Sequence, residues 1–468
     1  MAIPDRIKNH LRQRGVSHDV LTHLPTKTLQ QATHATGIAP GLLARAVVLL
    51  DGKGLIMAVL PSDHLLDFTA LCTLLNRELE PIPLSQLTDI LDDCEPGTCP
   101  PLGALYRLEE VVDTALLEQS EVYFEAGTHT ELVRMSGDAF RTLKQDCRTG
   151  SFSKPLEELR QIPAMSPDAA DPSRLRHTIN QFTPAHIKRN IQEFIELPAM
   201  PHSAQAILGI YANPKADVDD LARIVESDPA LAAKVIRYAS SALYGYKGKL
   251  TSIKDAIARV LGFDMVMNLA TAIAVGNSFR LPPDGPLGLN AYWQHSVYCA
   301  ALCERLARAV PRAMRPRLGT AYLAGLLHNI GRLLLGHAFP AEHFLLNRFV
   351  LANPEIPVND IERFVLGVGH EQIGGWLMES WGMPVELTAA VRWHHDANYW
   401  DQHAIYPQLV LLANCLLKRH GIGDAESDQL PTAIMEMLEL SEEQVVAACA
   451  HVMKSSEDLD SVALQLVA

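Results

Sequence analysis

The first 150 residues alternate between two hydrophobic patterns, one with the spacing of a helix and one with that of a strand. Two β-prone runs at residues 44–50 and 55–60 flank a Gly-containing turn, which predicts a hairpin. Helices are expected at residues 7–14, 28–36 and 65–75, and a late strand at residues 122–124. Residues 1–150 are therefore predicted to form an α+β domain with a small mixed sheet.

The pattern changes after residue 150, where Ser, Pro and Asp dominate without periodicity and indicate a linker. From about residue 182 to 417, apolar helical periods follow one another between breaks such as Asn353-Pro354 and Asp228-Pro229, the second of which is typical of a helix N-terminus. The chain is predicted to be multidomain. The expected parts are an α+β domain at 1–150, a linker at 151–180, an all-α domain at 181–420 and an acidic helical tail at 421–468.

Charge and composition exclude several classes of function. The formal net charge is -14, and residues 1–150 carry 13 Lys and Arg against 20 Asp and Glu, so DNA and tRNA binding are not expected. No apolar run has the length of a membrane span and no signal-peptide core is present, which predicts a cytoplasmic protein without membrane contact. The eight cysteines are expected to be reduced, although Cys94 with Cys99, or Cys299 with Cys303, could meet.

Polar side chains interrupt the otherwise apolar helices of the second half. They are His295, His328, Asn329, His370, His394 with its neighbour His395, and Asn414. Buried polar groups need hydrogen-bond partners. These side chains either pair with one another around a shared cavity or each bond a backbone carbonyl independently, and the sequence leaves both possibilities open.

The order His, His-Asx, His, His-His, Asx resembles the HD superfamily of metal-dependent phosphohydrolases, and more closely its HDOD branch of signalling output domains. Supporting runs are LPAMP at 197–201, IVESDPAL at 224–231, SSALY at 240–244 and IKDAIARVLG at 253–262. The resemblance implies an all-helical HDOD fold that acts on a protein partner in a signalling pathway.

In the catalytic members of that superfamily, carboxylates stand at the positions that match Asn329 and Asn414 here. Hard divalent cations prefer anionic oxygen ligands, so two amides remove charge that metal catalysis requires. The six positions His295, His328, Asn329, His370, His394 and Asn414 are therefore expected to be a vestigial metal site without metal or other cofactor. An alternative is that His295, His328, His370 and His394 retain a single zinc.

Residues 1–148 resemble the YbaK/prolyl-tRNA-synthetase-associated family, whose members hydrolyse mischarged aminoacyl-tRNA. The resemblance is carried by TGI at 36–38, ARAVVL at 44–49, GTCPPLG at 97–103, VDTAL at 112–116 and FEAG at 124–127. The family's functional lysine falls at Arg45, whose guanidinium does not deprotonate, so no catalytic residue is expected. Ligand-binding candidates are Arg45, Gly103, Gly127 and His129, while the structural alternative is that Arg45 pairs with an acid such as Asp113.

Both resemblances thus imply enzyme folds whose key residues are replaced. The sequence predicts a non-catalytic regulatory protein, with the N-terminal domain as a sensor of a small molecule or partner and the HDOD domain as an interaction module. One alternative is an aminoacyl-tRNA deacylase that works through Arg45, and a second is a metal phosphohydrolase. Asn329→Asp is expected neither to abolish folding nor to create activity unless Asn414 is changed as well.

Overall fold

The structure is a computed structural model that describes residues 3–26, 28–83, 86–160, 199–211, 213, 215–241, 246, 248–424 and 428–467. The chain divides into two compact units: residues 1–163 with 345–361, and residues 164–344 with 362–468. The predicted linker beyond residue 160, the start of the predicted all-α domain up to residue 198 and most of the SSALY run lie outside the described residues.

The first unit is built on a mixed sheet of eight strands in the order β1-β8-β7-β2-β3-β6-β9, with β5 also paired to β2, and a separate pair β4 and β10. The strands are β1 Asp19–Thr22, β2 Leu43–Asp51, β3 Gly54–Pro61, β4 His64–Leu66, β5 Glu80–Pro81, β6 Glu109–Asp113, β7 Glu121–Glu125, β8 Glu131–Ser136, β9 Arg148–Gly150 and β10 Ser153–Pro155. Its helices are α1 Asp5–Gln13, α2 Leu29–Thr36, α3 Phe68–Leu75, α4 Thr114–Leu117, α5 Gly137–Leu143 and α6 Leu156–Arg160.

The predicted α+β class, the β2–β3 hairpin and the first two helices are confirmed, and the sheet is larger than expected. Parallel pairing of β2 with β7 and of β3 with β6 buries the middle strands, which is why β3 reads as a continuous apolar run. Residues 151–160, expected to be linker, instead form β10 and α6. Strand β10 pairs with β4 next to α3, where a single helix was predicted over residues 65–75.

Sixteen α-helices are described from residue 199 onward: α7 His202–Tyr211, α8 Val218–Glu226, α9 Pro229–Ala239, α10 Ile253–Ala256, α11 Phe263–Gly276, α12 Leu289–Ala309, α13 Leu318–Leu327, α14 Ile330–Ala338, α15 Pro340–Ala352, α16 Val358–Leu366, α17 His370–Ser380, α18 Val385–Trp393, α19 Ile405–Lys418, α20 Thr432–Met437, α21 Glu442–Met453 and α22 Ser456–Val467. A π-helix, Ile257–Leu261, follows α10 directly. Asp228 caps α9 by accepting hydrogen bonds from the backbone N–H groups of Ala230 and Leu231, and Pro229 is the first helical residue, as predicted.

Helix α12 is the central element of the second unit and packs against α13, α19, α21 and α22. The predicted acidic helical tail thus belongs to the second unit, where it contributes the three helices α20 to α22. In contrast, residues 345–361 pack with the first unit, although the sequence placed them within the all-α domain. All eight cysteines are free thiols. Among the described residues, no helix combines the length and apolar character of a membrane span.

Candidate functional site

A break between two helices places His328 and Asn329 at the centre of the second unit. The apolar run at residues 321–335 predicted one helix, but α13 ends at Leu327 and α14 begins at Ile330. Hydrophobic periodicity cannot reveal this break because both helices are apolar on nearly all sides. A side chain at Gly331 would overlap the backbone of α17, so this glycine lets α14 approach the helix that begins at His370.

The two amides that replace carboxylates both bond the same imidazole. The Asn329 amide N–H donates to His295 Nδ1 at 3.1 Å, and His295 Nε2–H donates to Asn414 Oδ1 at 3.0 Å. All three residues are buried, and burial lowers the pKa of His295, so the neutral imidazole is favoured. Both ring nitrogens of His295 are thereby committed to neutral partners.

Three further imidazoles converge beside this chain of hydrogen bonds. His370 Nε2 lies 3.3 Å from His394 Nε2 and 3.3 Å from His395 Nε2. The Nδ1–H of His370 donates to Glu362 Oε2 at 2.6 Å, and that of His394 donates to the Val391 carbonyl at 2.8 Å. Their Nε2 lone pairs therefore face each other.

His328 lies with its ring centroid 4.8 Å from that of His295 and 5.0 Å from that of His394. Its Nδ1–H donates to the Gly325 carbonyl at 2.7 Å. The structure thus brings all six predicted positions together. Some bond each other and others bond backbone carbonyls, so both arrangements left open by the sequence occur.

Three charged residues that the sequence did not single out complete the cluster. Asp424, which follows α19, is ion-paired with Arg332 of α14, and Arg332 Nε lies 3.6 Å from Glu362 Oε1. Burial alone would raise the pKa of Asp424, but Arg332 holds it well below its usual range. Gly423 has a φ of 89°, and a side chain there would overlap His295, so the glycine allows Asp424 to enter. The Gly-x-Gly-Asp run at 421–424 was the available signal.

These residues form two groups whose ligand atoms lie close enough to hold a cation, His370 with His394 and His395, and His295 with His328 and Asp424. His370, His394 and His395 offer nitrogens at the spacing that zinc ligands adopt, and Asp424 Oδ2 lies 3.7 Å from His395 Nε2. The hydrogen bond from His370 Nδ1–H to Glu362 is typical of metal-bound histidines. A zinc ion there would supply Lewis acidity. The amides at the superfamily's carboxylate positions remove two anionic ligands, and Asp424 is a carboxylate that reaches both groups, with Oδ1 3.8 Å from His295 Nδ1 and Oδ2 3.8 Å from His370 Nε2. The expected absence of metal stays a prediction.

In the first unit, the guanidinium of Arg45 is buried and held by the chain itself. Its Nη1–H donates to the Ala352 carbonyl at 3.1 Å, and its Nη2–H groups donate to Asn353 Oδ1 at 2.6 Å and the His64 carbonyl at 3.0 Å. Burial lowers the pKa of Arg45 to about 10, so the side chain remains charged at neutral pH. The alternative prediction that Arg45 pairs with Asp113 is wrong, because the Asp113 carboxylate caps α4 and accepts from the Phe152 N–H.

The segment that holds Arg45 also reaches the start of α2. The two carboxylate oxygens of Glu355 accept the backbone N–H groups of Leu29 at 2.8 Å and Gln30 at 3.1 Å. Burial raises the pKa of Glu355, whereas these hydrogen bonds and the positive charge of Arg45 limit that increase. Asn353 and Glu355 were not identified from the sequence, where Asn353-Pro354 only marked a helix end.

The other N-terminal candidates have separate surroundings. The Gly103 N–H donates to Glu110 Oε2 at 2.9 Å, and Glu110 is also paired with buried Lys144. His129 bonds the Pro96 carbonyl, and its pKa is raised by Glu125 of β7. Gly127 has a φ of 79°, and a side chain there would meet the sulfur of Cys94 at 2.8 Å. These two glycines shape the loops in which they lie.

Two family models match the chain, and the second of them includes residues 345–361, which pack with the first unit. The aminoacyl-tRNA editing domain matches residues 23–143, and the HDOD domain matches residues 197–397. A Marinobacter aquaeolei VT8 protein described as a "Putative signal transduction protein" has a crystal structure that is 32% identical over 100% of both chains, with a TM-score of 0.86.

More distant relatives cover parts of the chain. An HDOD domain protein of unknown function from Geobacter sulfurreducens is 22% identical, covers 63% of this chain and 99% of its own, and has a TM-score of 0.50, which supports the fold alone. An uncharacterized protein of Treponema pallidum (strain Nichols) is 23% identical over 269 residues. That match takes in 57% of this chain but spans about half, 51%, of the Treponema protein.

Proposed function

We propose that this chain, which belongs to the family of the Marinobacter protein and has an aminoacyl-tRNA editing domain followed by an HDOD domain, is a non-catalytic regulatory protein of signal transduction. In this role the HDOD domain presents a helical surface to a protein partner, and the editing-like domain senses a ligand or partner in the cytoplasm. The description of the Marinobacter protein as a signal transduction protein supports this proposal.

The observation that carries the proposal is that each unit commits its key residue to partners within the chain. His295 has both nitrogens bonded to Asn329 and Asn414, where a metal-dependent hydrolase needs anionic ligands. Arg45 is 6% exposed and is held by backbone and amide oxygens. An Arg45 side chain that is held in this way neither transfers a proton nor reaches the ester bond of an aminoacyl-tRNA.

Two activity assays test the proposal directly. The purified full chain, with and without added Zn²⁺ or Mn²⁺, is expected to show no phosphodiesterase turnover above a metal-only blank. Incubation with misacylated tRNA is expected to leave the ester intact. Metal-dependent turnover that is lost in His370→Ala would overturn the proposal for the second unit.

The second candidate function, aminoacyl-tRNA deacylation, is favoured by the editing-domain match and by the retained positive charge of Arg45. Deacylation by the wild-type chain that disappears in Arg45→Ala would establish it and overturn the regulatory reading of the first unit. The net charge of -14 weighs against this candidate, since tRNA binding relies on neutralising phosphates.

A further inference from the structure

Residues 345–361 interact with the first unit as a bound peptide would. Their apolar anchor is Phe349, which is buried and meets Phe68 edge to face at a centroid distance of 6.2 Å. Arg348 lies over the Phe68 ring at 4.4 Å and also donates to the Leu79 carbonyl. The segment is thereby fixed on one side before the chain turns at Asn353.

The Asn353 side chain bonds the backbone N–H and carbonyl of Leu66, as a residue of a neighbouring strand would. Its Oδ1 accepts from the Leu66 N–H at 2.7 Å, and its Nδ2–H donates to the Leu66 carbonyl at 3.3 Å. The same Oδ1 accepts from Arg45. Strand β4, which contains Leu66, is otherwise paired only with β10 among the described strands. A side chain amide therefore completes the hydrogen bonding of the edge of β4 that β10 does not cover.

Glu355 satisfies the first donors of α2. The opening N–H groups of a helix have no partner within the helix and favour an anion. Thr28 accepts from the Gln31 N–H, and the carboxylate of Glu355 accepts from Leu29 and Gln30. Buried Arg45 adds a fixed positive charge that stabilises this carboxylate.

We infer that the pocket in front of Arg45 is a recognition site for a carboxylate-bearing peptide segment, and that residues 352–355 occupy it as an intramolecular ligand. The inference rests on the proposed sensing role of the first unit and names the chemistry of what it senses. An acidic segment of a protein partner, with an amide side chain two residues before a glutamate, binds by displacing Asn353 and Glu355. A tethered segment with an effective concentration of about 1 mM and an intrinsic Kd of ~10 μM weakens the binding of a competing segment about 100-fold.

The test uses a fluorescently labelled peptide of residues 349–358 and the full-length chain. Fluorescence anisotropy is expected to show binding at least tenfold tighter to the double variant Asn353→Ala, Glu355→Ala than to the wild type, because the double variant loses both polar anchors of its own segment. Glu118→Ala, an exposed substitution elsewhere in the first unit, is the matched control and is expected to behave as the wild type. A peptide with glutamine in place of its glutamate is expected to bind at least tenfold more weakly.

Equal binding to wild type and double variant, or no binding to either, would overturn the intramolecular ligand. Undiminished binding of the glutamine peptide would overturn the carboxylate site. If the double variant does not fold, Glu355→Gln serves instead, with faster hydrogen exchange expected at the amides of Leu29 and Gln30, and unchanged exchange there overturns the inference. Deacylation of misacylated tRNA by the double variant would refute the non-catalytic proposal but leave peptide recognition standing.

Discussion

Replacing each amide around His295 with a carboxylate is expected to have unequal effects, because the two amides play opposite roles. Asn329 donates to His295 Nδ1, whereas Asn414 accepts from His295 Nε2–H. Asn414→Asp preserves the acceptor. Asn329→Asp removes the donor and places a carboxylate oxygen against an imidazole lone pair.

The difference in stability follows from burial, since Asn329 and Asn414 are each 2% exposed. A buried charge without a partner costs about 3–5 kcal/mol, which is the expected loss for Asn329→Asp. In Asn414→Asp the retained hydrogen bond becomes charge-assisted and offsets part of the burial cost, so a loss of about 1–2 kcal/mol is expected. The two variants should therefore differ by about 2 kcal/mol at neutral pH.

Urea unfolding followed by tryptophan fluorescence measures this difference in the relevant unit, because all five tryptophans belong to it: Trp293, Trp376, Trp381, Trp393 and Trp400. Lowering the pH is expected to reduce the difference in unfolding free energy between the two variants. In Asn329→Asp, a proton taken up by the new carboxylate or by His295 restores a hydrogen-bond donor between them. Equal losses, or a larger loss in Asn414→Asp, would refute the assigned donor and acceptor roles. Neither single variant is expected to gain phosphodiesterase activity.

Three further predictions address other parts of the chain. Arg77 bonds both carboxylate oxygens of Asp51 at 2.7 Å and holds the pKa of that carboxyl at about 2. The stability that this ion pair contributes is therefore present above about pH 4 and is lost as the pH falls through 2. Asp51→Asn should remove this acid dependence from thermal melts of the first unit. Arg332→Met removes a fixed positive charge from the histidine cluster and should raise zinc affinity at least about tenfold in a competition titration, and unchanged affinity would contradict the charge argument. Gly331→Ala should destabilise the second unit by about 1–3 kcal/mol in urea, whereas Gly209→Ala, which meets no atom within 4 Å, should not destabilise it by overlap.

The sequence by itself determined much of the local structure and the membership of the candidate site. Alternating and helical periods predicted the β2–β3 hairpin, α1, α2 and the succession of helices, because these periods reflect which face of an element is buried. The order of histidines and asparagines identified six positions that the structure brings together. The sequence also showed directly that Asn329 and Asn414 are amides, because residue identity does not depend on the surroundings of the residue.

Only the tertiary structure decided what these residues bond and which segments complete the sites. Asn353 lies 308 positions from Arg45 in the chain, and Asp424 lies 92 positions from Arg332. Hydrophobic periodicity describes neighbours within one element and carries no information about such distant pairs. The sequence therefore indicated only a helix break at Asn353-Pro354, and it did not single out Asp424 or the glycines before it. Their roles arise because folding brings an unsatisfied helix terminus, a strand edge and a buried guanidinium to the same place, where burial requires each polar group to find a partner.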